Sequence, residues 1–133
     1  MKSLKFTILS FVFALTVAAC SKSSKDDTPP APTSLDGIWI GKSVTDADKS
    51  TAFYSFDIKP NGVLNRLDES GAIVGTGIWS IDNNIFQGTY KNASNAKFSV
   101  LGSYNKGVAK ILGNWGYNNS VTNGGTWEMA RKK

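Results

Sequence analysis

The chain has 133 residues, with 15 Lys and Arg against 10 Asp and Glu for a formal charge of +5, no histidine and one cysteine. Without histidine it lacks the commonest neutral-pH acid/base and metal ligand, and a lone cysteine cannot form an intramolecular disulfide. Lys42, Lys49, Lys59, Lys91, Lys97, Lys106 and Lys110 are scattered singly with no arginine cluster, unlike the stripe that tracks a nucleic-acid backbone, so no nucleic-acid partner is expected.

Lys2 and Lys5 precede a mostly apolar stretch from Phe6 to Ala19, the charged-then-apolar order of a secretory signal. The stretch falls short of the ~20 apolar residues a membrane-spanning helix needs. It ends in small residues followed by a polar run. Val17-Ala18-Ala19-Cys20 resembles the lipobox of bacterial lipoproteins. The resemblance implies that residues 1–19 are a signal peptide cut before Cys20, that the Cys20 thiol carries diacylglycerol, and that the new amine is acylated. One acyl chain binds a membrane only marginally, whereas two or more hold firmly. The alternative is an ordinary signal peptide cut after Ala18 or Ala19. Loss of Lys2 and Lys5 takes the formal charge from +5 to +3.

Residues 20–34 hold three of the four prolines and show no apolar periodicity, which predicts a flexible, solvated tether behind the lipidated cysteine. Ser21 is compatible with release to the outer membrane. Lys25-Asp26-Asp27 resembles the surface-export signals of Bacteroidota lipoproteins. Together they imply a protein held on the bacterial outer membrane by its N-terminal lipid anchor, periplasmic or surface-exposed.

Residues 35–133 read as one small domain. Tyr54, Phe56 and Ile58 alternate with Phe53, Ser55 and Asp57; Ile73, Gly75, Gly77, Trp79 and Ile81 alternate mainly with polar residues; so do Phe98, Val100, Gly102 and Tyr104, and then Trp127 and Met129. A period of two means strands with one dry and one wet face. Turn residues at Pro60-Asn61-Gly62, Glu69-Ser70-Gly71, Asp82-Asn83-Asn84, 92–95, Asn105-Lys106-Gly107 and 118–124, with a loop near 45–50, divide the domain into eight strands. The predicted spans are 37–44, 52–59, 63–68, 73–82, 85–91, 97–105, 108–117 and 125–132. Short hairpins between consecutive strands predict an all-β, eight-stranded antiparallel up-and-down barrel, whose closure removes both sheet edges.

All four tryptophans stand two residues after a glycine, at Gly37-Ile38-Trp39, Gly77-Ile78-Trp79, Gly113-Asn114-Trp115 and Gly125-Thr126-Trp127, and Tyr90 and Tyr104 repeat the spacing after Gly88 and Gly102. Glycine and ring then share one strand face, with the glycine expected to make room for a neighbouring ring. The second, fourth and sixth connections are the tightest, so one end of the barrel is expected to be pinched and the other to form a mouth with larger loops.

Leu35-Asp36-Gly37-Ile38-Trp39, with Arg131 at the end of the last strand, resembles the lipocalin and calycin barrels, more specifically the small lipocalin-like lipoproteins of Bacteroidota. The resemblance spans residues 35–132 and implies that Trp39 closes the barrel floor with Arg131 packed across it. The second lipocalin motif, Thr-Asp-Tyr, is absent, and no C-terminal helix is predicted. Barrels of this kind include lipid carriers, biotin binders and protein inhibitors, so the architecture does not select a function.

No catalytic residue, metal site or cofactor is expected. The close acidic pairs, Asp68-Glu69 and Asp46 with Asp48, fall in predicted loops, and Asp82-Asn83-Asn84 lacks the calcium-loop pattern. Non-covalent binding remains. Tyr54, Phe56, Trp79, Tyr90, Phe98, Tyr104 and Trp115 either line an interior pocket for a small apolar ligand or fill the barrel solidly. A protein partner is the other reading, through an outward patch in which Ile38 and Ile40 neighbour Leu112 across Ala130. Tyr117 with the Asn118-Asn119 loop is a candidate saccharide contact at the mouth.

Overall fold

A computed structural model describes residues 34–133; the expected signal peptide, the expected lipidation site Cys20 and the expected tether through Thr33 lie outside the described residues. The domain is all-β: β1 (Gly37–Thr45), β2 (Thr51–Ile58), β3 (Val63–Leu67), β4 (Ile73–Asp82), β5 (Ile85–Asn92), β6 (Lys97–Asn105), β7 (Lys110–Tyr117) and β8 (Gly125–Arg131). Every strand pairs antiparallel with the next, and β8 returns to β1, giving a closed up-and-down barrel. Trp39 stands opposite Phe56 on one side and Arg131 on the other. The two-residue connection between β4 and β5 has Asn83 at φ 47° and Asn84 at φ 65°, the left-handed pair that a tight hairpin requires.

The interior is solid at its centre. Phe56 and Phe86 are fully buried and Trp127 nearly so. Their rings meet at 6.5 Å for Phe56 and Phe86, 6.0 Å for Phe56 and Trp127, and 5.9 Å for Phe86 and Trp127. Leu64, Ile58, Val100, Ile111 and Met129 close the gaps around them, as a barrel of this strand number permits.

The glycines do two different jobs. At Gly102 a Cβ would lie 2.8 Å from Cζ2 of Trp127, so this glycine does make room for a ring. At Gly41, Gly77 and Gly113 a Cβ would lie 1.8, 1.8 and 1.9 Å from the carbonyl oxygens of Glu128, Thr89 and Leu101. There the neighbouring backbone, not a side chain, occupies the space, because strongly coiled strands approach each other more closely than a side chain allows.

Two departures from strict alternation have local causes. Leu67 pairs with Ile73 while Arg66 pairs with Gly75, leaving Val74 as an extra residue on β4. Such a bulge puts the strand segments on its two sides out of phase in their facing, and Ile73 is accordingly 59% exposed where alternation predicts an inward side chain. Ser55, expected on the wet face, is buried and donates its hydroxyl to the Trp39 carbonyl at 2.8 Å.

Candidate functional site at the open end of the barrel

The two ends of the barrel differ in kind. At the end carrying connections 59–62, 83–84 and 106–109, rings and a guanidinium form a floor. Trp39 is fully buried and donates its indole N–H to the Leu35 carbonyl at 2.8 Å. Arg131 lies over that indole at 5.3 Å, and Tyr104 meets it edge-on at 5.8 Å. Trp79 donates to the Lys59 carbonyl at 2.8 Å and stacks on Phe86 at 6.0 Å. The Tyr104 hydroxyl is buried and, among the described residues, finds no hydrogen-bond partner. An unmade buried hydrogen bond costs about 1 to 3 kcal/mol. Tyr104→Phe is therefore expected to leave the denaturation midpoint unchanged or raise it, and a clear drop would mean that the hydroxyl is bonded.

At the opposite end the core stops short of the rim and leaves a pocket of about 400 Å³. Tyr54, Tyr90, Phe98 and Trp115 supply most of its aromatic wall, with Phe53 beside them, and Arg66, Val74 and the 92–94 turn are among its other borders. Tyr90 and Phe98 stack at 5.1 Å, Phe98 and Trp115 tilt together at 6.3 Å, and Tyr54 rests edge-on against Phe56 at 5.0 Å, so the pocket floor is the top of the core. The hydroxyls of Tyr54 and Tyr90 share a hydrogen bond of 2.8 Å.

Arg66 is the charged member of this group. Its guanidinium lies 4.5 Å from the Tyr54 ring centre and donates to the backbone carbonyls of Phe53 at 2.7 Å, Ser55 at 3.4 Å and Leu67. Gly75 permits the arrangement, since a Cβ there would press on Tyr90 at 3.1 Å and on the Arg66 Cβ at 3.3 Å. Burial pushes the Tyr54 phenol well above its ordinary 10.0 and raises that of Tyr90 as well. Both remain neutral hydrogen-bonding groups at neutral pH.

Of the seven interior aromatics predicted as ligand-binding, four, Tyr54, Tyr90, Phe98 and Trp115, meet at this pocket. Phe56 lies beneath it in the packed centre, and Trp79 and Tyr104 belong to the closed end. Two residues escaped the sequence reading, although strand alternation carried the signal for both. Phe86 shares the inward parity of Gly88 and Tyr90, and Arg66 shares that of Leu64.

No family model, curated protein or solved structure matches the chain. A barrel by itself does not select a function, so the remaining sequence candidates are placed by their geometry. The outward apolar patch is interrupted: Ala130 pairs with Ile40 and Lys110, while Leu112 pairs with Glu128, whose carboxylate binds Lys42 at 3.2 Å. The register thus sets an ion pair between Ile40 and Leu112.

Tyr117 packs at the rim on Phe98 and Trp115, at 5.6 and 5.3 Å. The 118–124 loop leaves it and folds back over the outside of β6, where Lys97 binds the Asn119 side chain at 2.6 Å and Ser99 donates to the Asn118 carbonyl. Gly116 makes that fold-back possible, because a Cβ there would lie 2.3 Å from Oδ1 of Asn123. Asn119 and Val121 instead border an outer groove of about 470 Å³ with Ile78, Thr89 and Leu101. Tyr117 and Asn119 therefore serve different surfaces.

One member of each acidic pair, Asp68 and Asp48, acts as a turn acceptor. Asp68 accepts from the Ser70 backbone at 2.9 Å, the Ser70 hydroxyl at 2.6 Å and the Ala72 backbone at 2.9 Å, and these bonds, that of the Ser70 side chain foremost, hold its carboxyl below the ordinary 3.8. Asp48 is lowered in the same way by Ser50.

Proposed function

We propose that the protein is a lipid-anchored, lipocalin-like binding protein of the bacterial outer membrane that takes a small ligand with an apolar body in the open end of its barrel. The observation that carries this reading is the 400 Å³ pocket walled by Tyr54, Tyr90, Phe98 and Trp115. Its mix of rings with a few convergent polar groups is the usual make-up of a ligand site, and its size falls at the low end of the ~300 to 1,000 Å³ such sites span. The ligand is compact, because Phe56 and Phe86 fill the space a long chain would need. The reading assigns no catalytic residue, cofactor, metal or nucleic-acid partner. β1 begins at the closed end, so a tether from Cys20 would enter there and leave the pocket facing away from the membrane.

Native mass spectrometry of the full lipidated chain, released from neutral detergent, tests the proposal. A reproducible small-molecule adduct that is lost in Trp115→Ala, with the fold retained, is the expected result; an adduct that persists in that variant would move the site elsewhere. The anchor is tested separately. Cys20→Ser is expected to free the protein from the membrane fraction, and unchanged fractionation with no acyl mass on the natural chain would refute lipidation.

A second reading is a surface protein-interaction module, or an inhibitor-type barrel, with a filled core. Ile78, 68% exposed, and Leu101, 39% exposed, border the outer groove and favour it. An extended segment of a protein partner laid in that groove would be lost on Ile78→Lys and insensitive to Trp115→Ala, the reverse of the pocket result.

A further inference from the structure

Arg66 is half-buried on the inner face of β3, in a pocket bordered also by Ser43, Asn92 and Ser94. No acidic side chain lines that pocket. Among the described residues the ion pairs are Lys42 with Glu128, Lys49 with Asp46 and Lys59 with Asp57, and none involves Arg66. The carbonyls of Phe53, Ser55 and Leu67 fix the guanidinium in place through their dipoles. They carry no net charge, so the pocket keeps a whole positive charge among aromatic walls. Withdrawing a charge from water without a counter-charge is costly. A chain that holds one this way, beside two neutral phenols, has built half of an ion pair.

We propose that the ligand of this pocket is a compact aromatic or alicyclic monocarboxylate, its ring against the pocket faces of Phe98 and Trp115 and its carboxylate on Arg66 and the Tyr54–Tyr90 hydroxyl pair. The inference rests on reading the open end as the ligand site and narrows its chemistry. Three features select this class. A single guanidinium balances one negative charge, whereas a phosphomonoester would bring a second with nothing to meet it. Arginine's free donors and a phenol hydroxyl suit the two oxygens of a carboxylate, and such charge-assisted bonds are roughly twice as strong as neutral ones. The stacked walls suit a ring, and the filled centre below Tyr54 excludes a long acyl tail. Arg66 thus decides specificity, while the rings supply most of the contact.

Isothermal titration of the full chain in neutral detergent, with 2-naphthoate and 2-naphthamide as probes and empty micelles as the blank, separates the two claims. The probes share a ring system and differ in charge. The expected result is that the carboxylate binds at least about tenfold more tightly than the amide, and that added salt weakens the carboxylate alone. Arg66→Met should abolish the difference by weakening naphthoate far more than naphthamide, and Arg66→Lys should restore part of it. Equal binding of the two probes by the natural chain would overturn the carboxylate assignment and leave the pocket reading standing. Binding of neither would overturn both. A preference that survives in folded Arg66→Met would remove Arg66 from the role, and should that variant fail to fold, the probe pair and its salt dependence on the natural chain decide.

Discussion

Trp39→Ala is expected to lower the folding stability by about 3 to 5 kcal/mol, the range for removing a fully buried large aromatic. Trp39 has no exposed surface, donates to the Leu35 carbonyl, and carries both Arg131 and Tyr104 on its ring. Truncation would empty the floor, leave that carbonyl unpaired and strip the half-exposed Arg131 of its aromatic platform. The residues around the void sit on strands locked into a closed ladder, so they cannot collapse into it. Chemical denaturation is the measurement. The midpoint should fall sharply while the slope against denaturant stays the same, and Trp39→Phe should lie between the two. A midpoint near that of the natural chain would put Trp39 outside the core.

Gly77→Ala is expected to be at least as damaging, although it adds one methyl group. The new Cβ would lie 1.8 Å from the Thr89 carbonyl oxygen and 2.6 Å from the Tyr90 Cα. Both belong to the backbone of β5, so no rotamer change relieves the contact and the two strands have to part. Ordinary overpacking costs about 1 to 3 kcal/mol; here β4 would lose ladder hydrogen bonds to β5 as well, which places the change in the rare class beyond about 4 kcal/mol. The expected observation is loss of the β-type circular dichroism signal at room temperature. Gly107→Ala is the control: its nearest atom is the Asn105 side-chain oxygen at 3.5 Å, and a shift within about 0.5 kcal/mol is expected for such a surface change. If Gly77→Ala melts with the natural chain, β4 and β5 are not in contact at this point.

The strands were legible because each of their causes is local. Tyr54, Phe56 and Ile58 alternate with wetter residues, and turn residues such as Asn83-Asn84 stop the pattern where the chain reverses. The observed strands begin and end within two residues of the expected spans. The floor was legible from Trp39 and Arg131, which stand at the ends of β1 and β8 and become opposite partners when those strands pair. The open-end pocket was legible only in part. Inward parity identifies Tyr90 and Phe98 as interior, yet it does not say at which height along the barrel a ring lies, and height separates a pocket wall from a floor. Arg66 shows why a charge on a dry face merits notice: its parity was plain, but its proximity to Tyr54 and Tyr90 depends on strands far apart in sequence.

From the sequence alone come the all-β class, the strand count and the meander order, since period-two patterning and turn chemistry are written in neighbouring residues; the expectation of a lipid anchor at Cys20 with a tether behind it also rests on the sequence only. Tertiary structure decided the rest. Barrel closure and its stagger determine which inward side chains share a layer, so Phe56, Phe86 and Trp127 became a solid centre and Tyr54, Tyr90, Phe98 and Trp115 a contiguous wall bordering a pocket. The register of β7, β8 and β1 set the Lys42–Glu128 pair between Ile40 and Leu112. The bulge at Val74 turned Ile73 outward, and the bare Gly116 drew the 118–124 loop onto the outer wall. Each of these outcomes is a distance between residues remote in the chain, and only pairing across the sheet sets such distances.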